Sequence, residues 1–96
     1  MKLFIIARFH ARPGKEGEVE AAIREVSVPT RAEPGCLGYQ VFRGTRDSAR
    51  FFIQSRWQDE AAFDHHADLP HTVKFLATVE PLIDHPLDVT RAKAIL

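Results

Sequence analysis

Apolar and polar positions alternate along residues 3–10, yet neither side of the alternation is wet. Leu3, Ile5, Ala7 and Phe9 fall on one face, and Phe4 and Ile6 on the other before Arg8 and His10. A two-residue period with apolar side chains on both faces predicts a strand covered from both sides. Pro13-Gly14 predicts a turn, and residues 15 to about 32 predict a helix. Glu16, Glu18 and Glu20 crowd its start, where the helix dipole favours negative charge. Val19, Ala22, Ile23 and Val26 recur at helical spacing and form one apolar stripe. Pro29 lies inside this pattern and is expected to kink the helix or restart it as a second short piece. Glu33-Pro34-Gly35 ends it.

The period returns to two over 36–43, where Leu37, Tyr39 and Val41 alternate with Gly38, Gln40 and Phe42. Residues 44–48 are a polar turn of hairpin length, and 49–57 form a third strand with Phe51, Ile53, Ser55 and Trp57 on one face. Asp59 offers an N-cap carboxylate to a short helix carrying Ala61, Ala62 and Phe63, with Glu60 in its first turn. Asp68 is expected to cap the next helix, and Pro70 suits its first turn. His65 and His66 then end one helix and His71 begins the other. Thr72, Phe75, Leu76, Val79, Leu82 and Ile83 keep a helical period until Asp84-His85-Pro86 stops it. Residues 87–93 predict a last strand, and Ala94-Ile95-Leu96 an apolar tail.

The order β-α-β-β-α-β predicts an α+β, ferredoxin-like fold with both helices on one face of a four-stranded antiparallel sheet. The other face stays bare, and it carries large apolar side chains whichever set it is: Phe4, Ile6, Phe42 and Phe52, or Leu3, Ile5, Phe9, Phe51 and Ile53. Such a patch exceeds the few hundred Å² or so that monomers usually expose. At about 25 cal/mol per Å², hiding it is worth several kcal/mol per subunit. The expectation is a homodimer formed sheet against sheet.

Composition narrows the picture further. The 96 residues predict one domain spanning 1–96, and Lys plus Arg balance Asp plus Glu at 13 each, giving no long-range field toward nucleic acid or an anionic membrane. The longest apolar runs fall short of a bilayer span, and the apolar run at the N-terminus is too short for a secretion signal. A single cysteine, Cys36, closes no internal disulfide, so a cytoplasmic location is expected, with the thiol buried and inert rather than nucleophilic.

Candidate chemistry gathers between Trp57 and Phe75, which hold the one Trp and three of the five His. A hinge between two helices, lined by imidazoles and backed by an indole, is the first place to look for a site. His65, His66, Asp68 and His71 lie within seven residues, but the break at Pro70 interrupts them and their spacing fits no zinc motif, so no metal is expected.

These pieces in this order resemble a known family. Glu33-Pro34-Gly35-Cys36 before Leu37 and Tyr39, Trp57 closing the third strand, and His66-Ala67-Asp68-Leu69-Pro70-His71 with Phe75 beyond are similar to the antibiotic biosynthesis monooxygenase domain. The resemblance covers nearly the whole chain. It implies a dimeric α+β barrel and an oxidation of quinol-like or polycyclic aromatics by dioxygen, with no cofactor. It further implies His66 and His71 as acid–base residues, since an unshifted imidazole titrates around 6.5. Trp57, Phe63 and Phe75 would wall the substrate, and Tyr39 or Arg8 would hold an oxyanion if either points inward. Each of these also has an ordinary reading: Trp57 as core, the two His as polar helix ends, Tyr39 as a sheet residue, Arg8 and Arg56 as surface charges. His65 is expected to face solvent, and His10 and His85 have no assignable partner.

Two departures matter. Many members of the family carry a Glu two residues before the Trp, and this chain has Ser55 there. Its haem-degrading relatives use an Asn on the first strand, which here has none, so haem degradation is disfavoured. The competing expectation is a non-catalytic dimeric domain that binds a small molecule or serves in stress, with Ser55 as its best support.

Overall fold

The computed structural model describes residues 1–96. Its elements are β1 (Leu3–His10), α1 (Glu16–Arg31), β2 (Cys36–Arg43), β3 (Arg50–Trp57), α2 (Glu60–Asp68), α3 (Pro70–Val79), a 3₁₀ turn (Glu80–Leu82) and β4 (Asp88–Ala92). The four strands form one antiparallel sheet in the order β2-β3-β1-β4, with the helices on one face: the ferredoxin-like α+β arrangement. No helix is long and apolar enough to cross a membrane.

Register decides which alternating set faces the helices. Leu3 pairs with Trp57, Ile5 with Ser55, Ala7 with Ile53 and Phe9 with Phe51, and all eight are buried. The stripe Val19, Ala22, Ile23 and Val26 of α1 and the residues Phe75 and Val79 of α3 pack onto them. The open face therefore carries Phe4, Ile6, Phe42 and Phe52. Phe42 is well exposed, and the other three are half-buried by their neighbours on the sheet.

Three local expectations are corrected. Pro29 does not restart α1 as a second piece, and the helix runs unbroken to Arg31. Its missing N–H falls in the last turn, where Thr30 Oγ1 and Ser27 Oγ donate to the carbonyls of Val26 and Ile23 and hold the backbone. Asp68 does not cap α3. It ends α2, and Leu69 takes the cap position with extended backbone, the conformation that a following proline imposes. The helical period also stops short of Ile83. Pro81 cannot donate back to Ala77, the chain tightens into the 3₁₀ turn, and Ile83 instead bridges Ala11 at the end of β1.

That end of the sheet is clamped by His10. Its Nδ1 lies 2.6 Å from Asp84 and its Nε2 2.9 Å from Asp47, joining the strand to the segment after α3 and to the β2–β3 turn. His85 stacks beside it at 6.2 Å and also contacts Asp84, and Arg50 lies 4.0 Å from Asp47. The bonds to Asp84 and then Asp47 raise the His10 pKa, and the same bonds to His10 lower those of both carboxylates. The imidazole's contribution is complete below its ordinary value, about 6.5, and is lost as pH rises through the raised one. The carboxylates' contribution holds above about 3.9 and is lost as pH falls through the lowered values. The melting-temperature gap between the native chain and His10→Gln should therefore be widest between about pH 4 and 6.5 and should close at higher pH. Thermal melts across that range measure it.

Candidate active site

Between the sheet and the helices lies a cavity of about 240 Å³. Ile5, Ala7, Phe9 and Ile53 floor it from the sheet, Trp57, Phe63 and Phe75 wall it, and Leu87 and Val89 close one side. Polar groups reach it from Thr30, Tyr39, Ser55, His66 and Thr72. Hollows of about 410, 450 and 510 Å³ lie elsewhere, among them one beside Asp84 and His85 and one between α1 and β2, and their linings are more polar. The smaller cavity is where apolar walls and an imidazole meet, the usual make-up of a small-molecule site.

Five of the six residues singled out from the sequence line this cavity: Trp57, Tyr39, Phe63, Phe75 and His66. The aromatic cluster has defined geometry. Trp57 meets Phe63 edge-on at 5.6 Å, and the His66 ring lies 4.7 Å from Trp57 and 5.6 Å from Phe63. Phe75 meets Phe9 edge-on at 5.8 Å. Tyr39 faces the helices under the Arg31 guanidinium, 5.5 Å from its ring, and burial raises its phenol pKa, so it stays a protonated donor. Arg8 does not point inward. It lies on the open sheet face and pairs with Asp88 at 3.6 Å, because β1 alternates and its buried set is the odd-numbered one. His65 is exposed.

His71, the sixth, lines no part of the cavity, but Glu33 joins it to His66. Glu33 Oε2 lies 2.7 Å from His66 Nδ1 and 2.8 Å from His71 Nε2, and Thr72 Oγ1 lies 3.3 Å from His66 Nδ1. The Glu33 side chain is 9% exposed, His66 13% and His71 25%, so the series runs from the cavity wall through a buried carboxylate toward solvent. With Nδ1 donating to Glu33, His66 is fixed in the tautomer whose Nε2 carries the lone pair, and Nε2 has no partner within the chain.

In the sequence Glu33 stands out only as the start of the turn Glu33-Pro34-Gly35 and of the family-like pattern that runs on to Cys36. A signal was present: it follows the C-terminus of α1, the end where a negative charge is disfavoured. A carboxylate placed there calls for donors from elsewhere, and the two imidazoles supply them. Gly35 lets the turn come close to α2. A Cβ at that position would sit 2.6 Å from Ala62 Cβ, so any side chain there would push the Glu33 turn off the helix that carries His66. Cys36 is half-buried rather than buried, and desolvation raises its thiol pKa.

The chain matches the family model described as Antibiotic biosynthesis monooxygenase over residues 3–78. A Mycobacterium tuberculosis protein, Putative monooxygenase Rv0793, is 33% identical over 86 residues, covering 90% of this chain and 84% of its own. The solved structure of Rv0793 superposes with a TM-score of 0.93 at 29% identity, covering 99% of this chain and 96% of that one. The crystal structure of PA3566 from Pseudomonas aeruginosa gives 0.92 at 29% identity, covering 99% and 95%.

Ser55 accepts a 2.9 Å hydrogen bond from Trp57 Nε1. Both residues are buried. Replacing Ser55 by Ala strands the indole N–H without a partner and should cost about 1–3 kcal/mol of stability. Urea unfolding followed by Trp57 fluorescence measures it.

Proposed function

The chain belongs to the antibiotic biosynthesis monooxygenase family, and from that premise we propose that it oxidises a quinol-like or other flat aromatic substrate with dioxygen, using its own side chains and the substrate's electrons. The observation that carries this reading is His66 on the wall of an apolar cavity, its Nδ1 held by the buried Glu33. The aromatic guest lies among Trp57, Phe63 and Phe75, and its hydroxyl gives its proton to His66 Nε2. Glu33 orients the ring and stabilises the imidazolium that forms, and His71 passes the charge on toward solvent. Tyr39 donates to the oxyanion left behind.

The deprotonated ring is electron-rich enough to reduce dioxygen. Oxygen bonds to a ring carbon as a hydroperoxide, the O–O bond then breaks, and water leaves. One quinol and one dioxygen give one hydroxyquinone and one water, so the electrons balance without an outside reductant. Exclusion of water by the apolar walls keeps the anion reactive.

The same proposal treats residues 1–96 as one domain of this kind and pairs two copies through their open sheet faces. The exposed Phe42 and the half-buried Phe4, Ile6 and Phe52 support the pairing, because a second copy would hide an apolar surface the helices leave uncovered. The competing reading, a domain that binds an aromatic guest without turning it over, draws on Ser55, whose hydroxyl is already engaged by Trp57.

Oxygen uptake by metal-free protein with a panel of hydroquinones tests the activity. The expected result is uptake above the autoxidation blank, lowered about 100-fold by His66→Ala and at least about tenfold by His71→Ala. No uptake, with the hydroquinones still quenching Trp57 fluorescence, leaves the binding domain as the correct reading. For the assembly, sedimentation should give a dimer that Phe52→Glu converts to a folded monomer, because a carboxylate cannot be buried unpaired in the sheet interface.

A further inference from the structure

Glu33, His66 and His71 also have the make-up of a metal site. Their ligand atoms lie within 4.8 Å of one another, on three separate parts of the fold: the turn after α1, the last turn of α2 and the first turn of α3. Two imidazoles and one carboxylate are the donor set of several catalytic zinc and non-haem iron sites, and they leave further positions open. We propose that these three side chains bind one divalent first-row cation of the zinc type, and that the ion arrests the proton path by occupying the atoms that form it. The second half rests on the monooxygenase reading; the first does not.

The three side chains reach a tetrahedral arrangement by local shifts. Donors about 2.0–2.1 Å from a tetrahedral ion lie roughly 3.3 Å apart. Here Glu33 Oε2 stands 2.7 and 2.8 Å from the two ring nitrogens, so those two pairs open by about half an ångström, while the two nitrogens, within 4.8 Å of each other, draw together toward the same spacing. His71, a quarter exposed, has room to give that distance. Each imidazole must turn a donating nitrogen into a lone pair, which it does by moving its proton to its other nitrogen. For His66 that is Nε2 and for His71 it is Nδ1, and neither makes a hydrogen bond within the chain, so the change of tautomer breaks no other contact. Glu33 brings one negative charge to a partly desolvated site, where an unpaired dication would be costly. Mixed nitrogen and oxygen donors select zinc, cobalt or nickel over magnesium or calcium, which prefer oxygen alone.

Isothermal titration of chelator-stripped protein with zinc chloride tests the site, with magnesium chloride as the contrast. We expect one zinc per chain, no magnesium uptake, and affinity weakened at least tenfold by Glu33→Gln and by His71→Ala. His65→Ala and His85→Ala, at exposed imidazoles outside the set, should stay within twofold of the native chain. Cobalt(II) gives a second readout: a visible absorption band from nitrogen–oxygen coordination, present in native protein and absent in Glu33→Gln. Circular dichroism checks each fold, and His71→Gln, at a partly exposed position, replaces Glu33→Gln should the latter not fold. Failure of zinc to bind saturably, or binding that survives both Glu33→Gln and His71→Ala, overturns the site. Zinc uptake in a protein that shows no oxygen uptake upholds the site and removes the proton path. In a protein that does turn over hydroquinones, saturating zinc should lower the rate at least tenfold, and an unchanged rate overturns the arrest.

Discussion

The structure depends on how a short helix that buries none of its residues is held in place. α2 has nine residues and no fully buried side chain, so its apolar anchorage is limited to the half-buried Ala62 and Phe63 packed against Leu3, Ile5 and Trp57. Polar contacts supply the rest, at several points. Asp59 caps its start by accepting from the Ala62 N–H at 2.8 Å. Arg91 of β4 reaches Asp64 at 2.8 Å while its guanidinium covers Phe63 at 5.0 Å. At its end Glu33 takes His66, and Gly35 admits Ala62 against the turn. Each contact is modest alone. Together they fix the orientation of the helix that carries Phe63 and His66 to the cavity.

A consequence follows for the hollow itself. Protein interiors fill to near crystal density, so the side chains lining this hollow of about 240 Å³, which opens partly to solvent, forgo contacts that a packed core would make. The space persists because the wall over it is tied by its edges and does not collapse onto the sheet. The Trp57–Ser55 bond acts in the same direction from below, since it holds the indole against the strand rather than leaving it to fall inward. An element that buries no side chain fully also opens more readily than one secured by burial. A wall of that kind suits a cavity that has to admit a guest.

Much of this was legible in the chain because period and burial coincide. β1 reads as a two-sided strand, and its odd-numbered set is the buried one in the structure, with alternation in every residue. The stripe of α1 is buried at each of the four expected positions. Which face of the sheet the helices cover was not legible, because both sets are apolar and only pairing with Trp57 and Phe51 separates them. The errors cluster at prolines. Pro29, Pro70 and Pro81 each act through the residues before them, and what a missing N–H costs depends on how near the helix end it falls. Within the site, imidazoles announce themselves by spacing, whereas Glu33 lies 33 residues from its first partner and 38 from its second, and only the fold brings them together.

The departure at position 55 takes on a different meaning in this light. A carboxylate there would stand on the buried face of β3, among Tyr39, Trp57 and Ile5, where desolvation would oppose its charge. The serine instead satisfies the indole, and a carboxylate enters from the other side of the cavity wall, attached to an imidazole rather than facing the guest. On the proposed chemistry this arrangement separates two duties that a single buried Glu would combine. His66 meets the substrate hydroxyl, and Glu33 holds the charge one bond further out, with His71 between it and water. A base backed in this way keeps its orientation through the proton transfer, and the negative charge of Glu33 is never set directly against the phenolate it helps to form. A serine at 55 is then compatible with an acid–base site, provided that Glu33 remains where two helices converge on it.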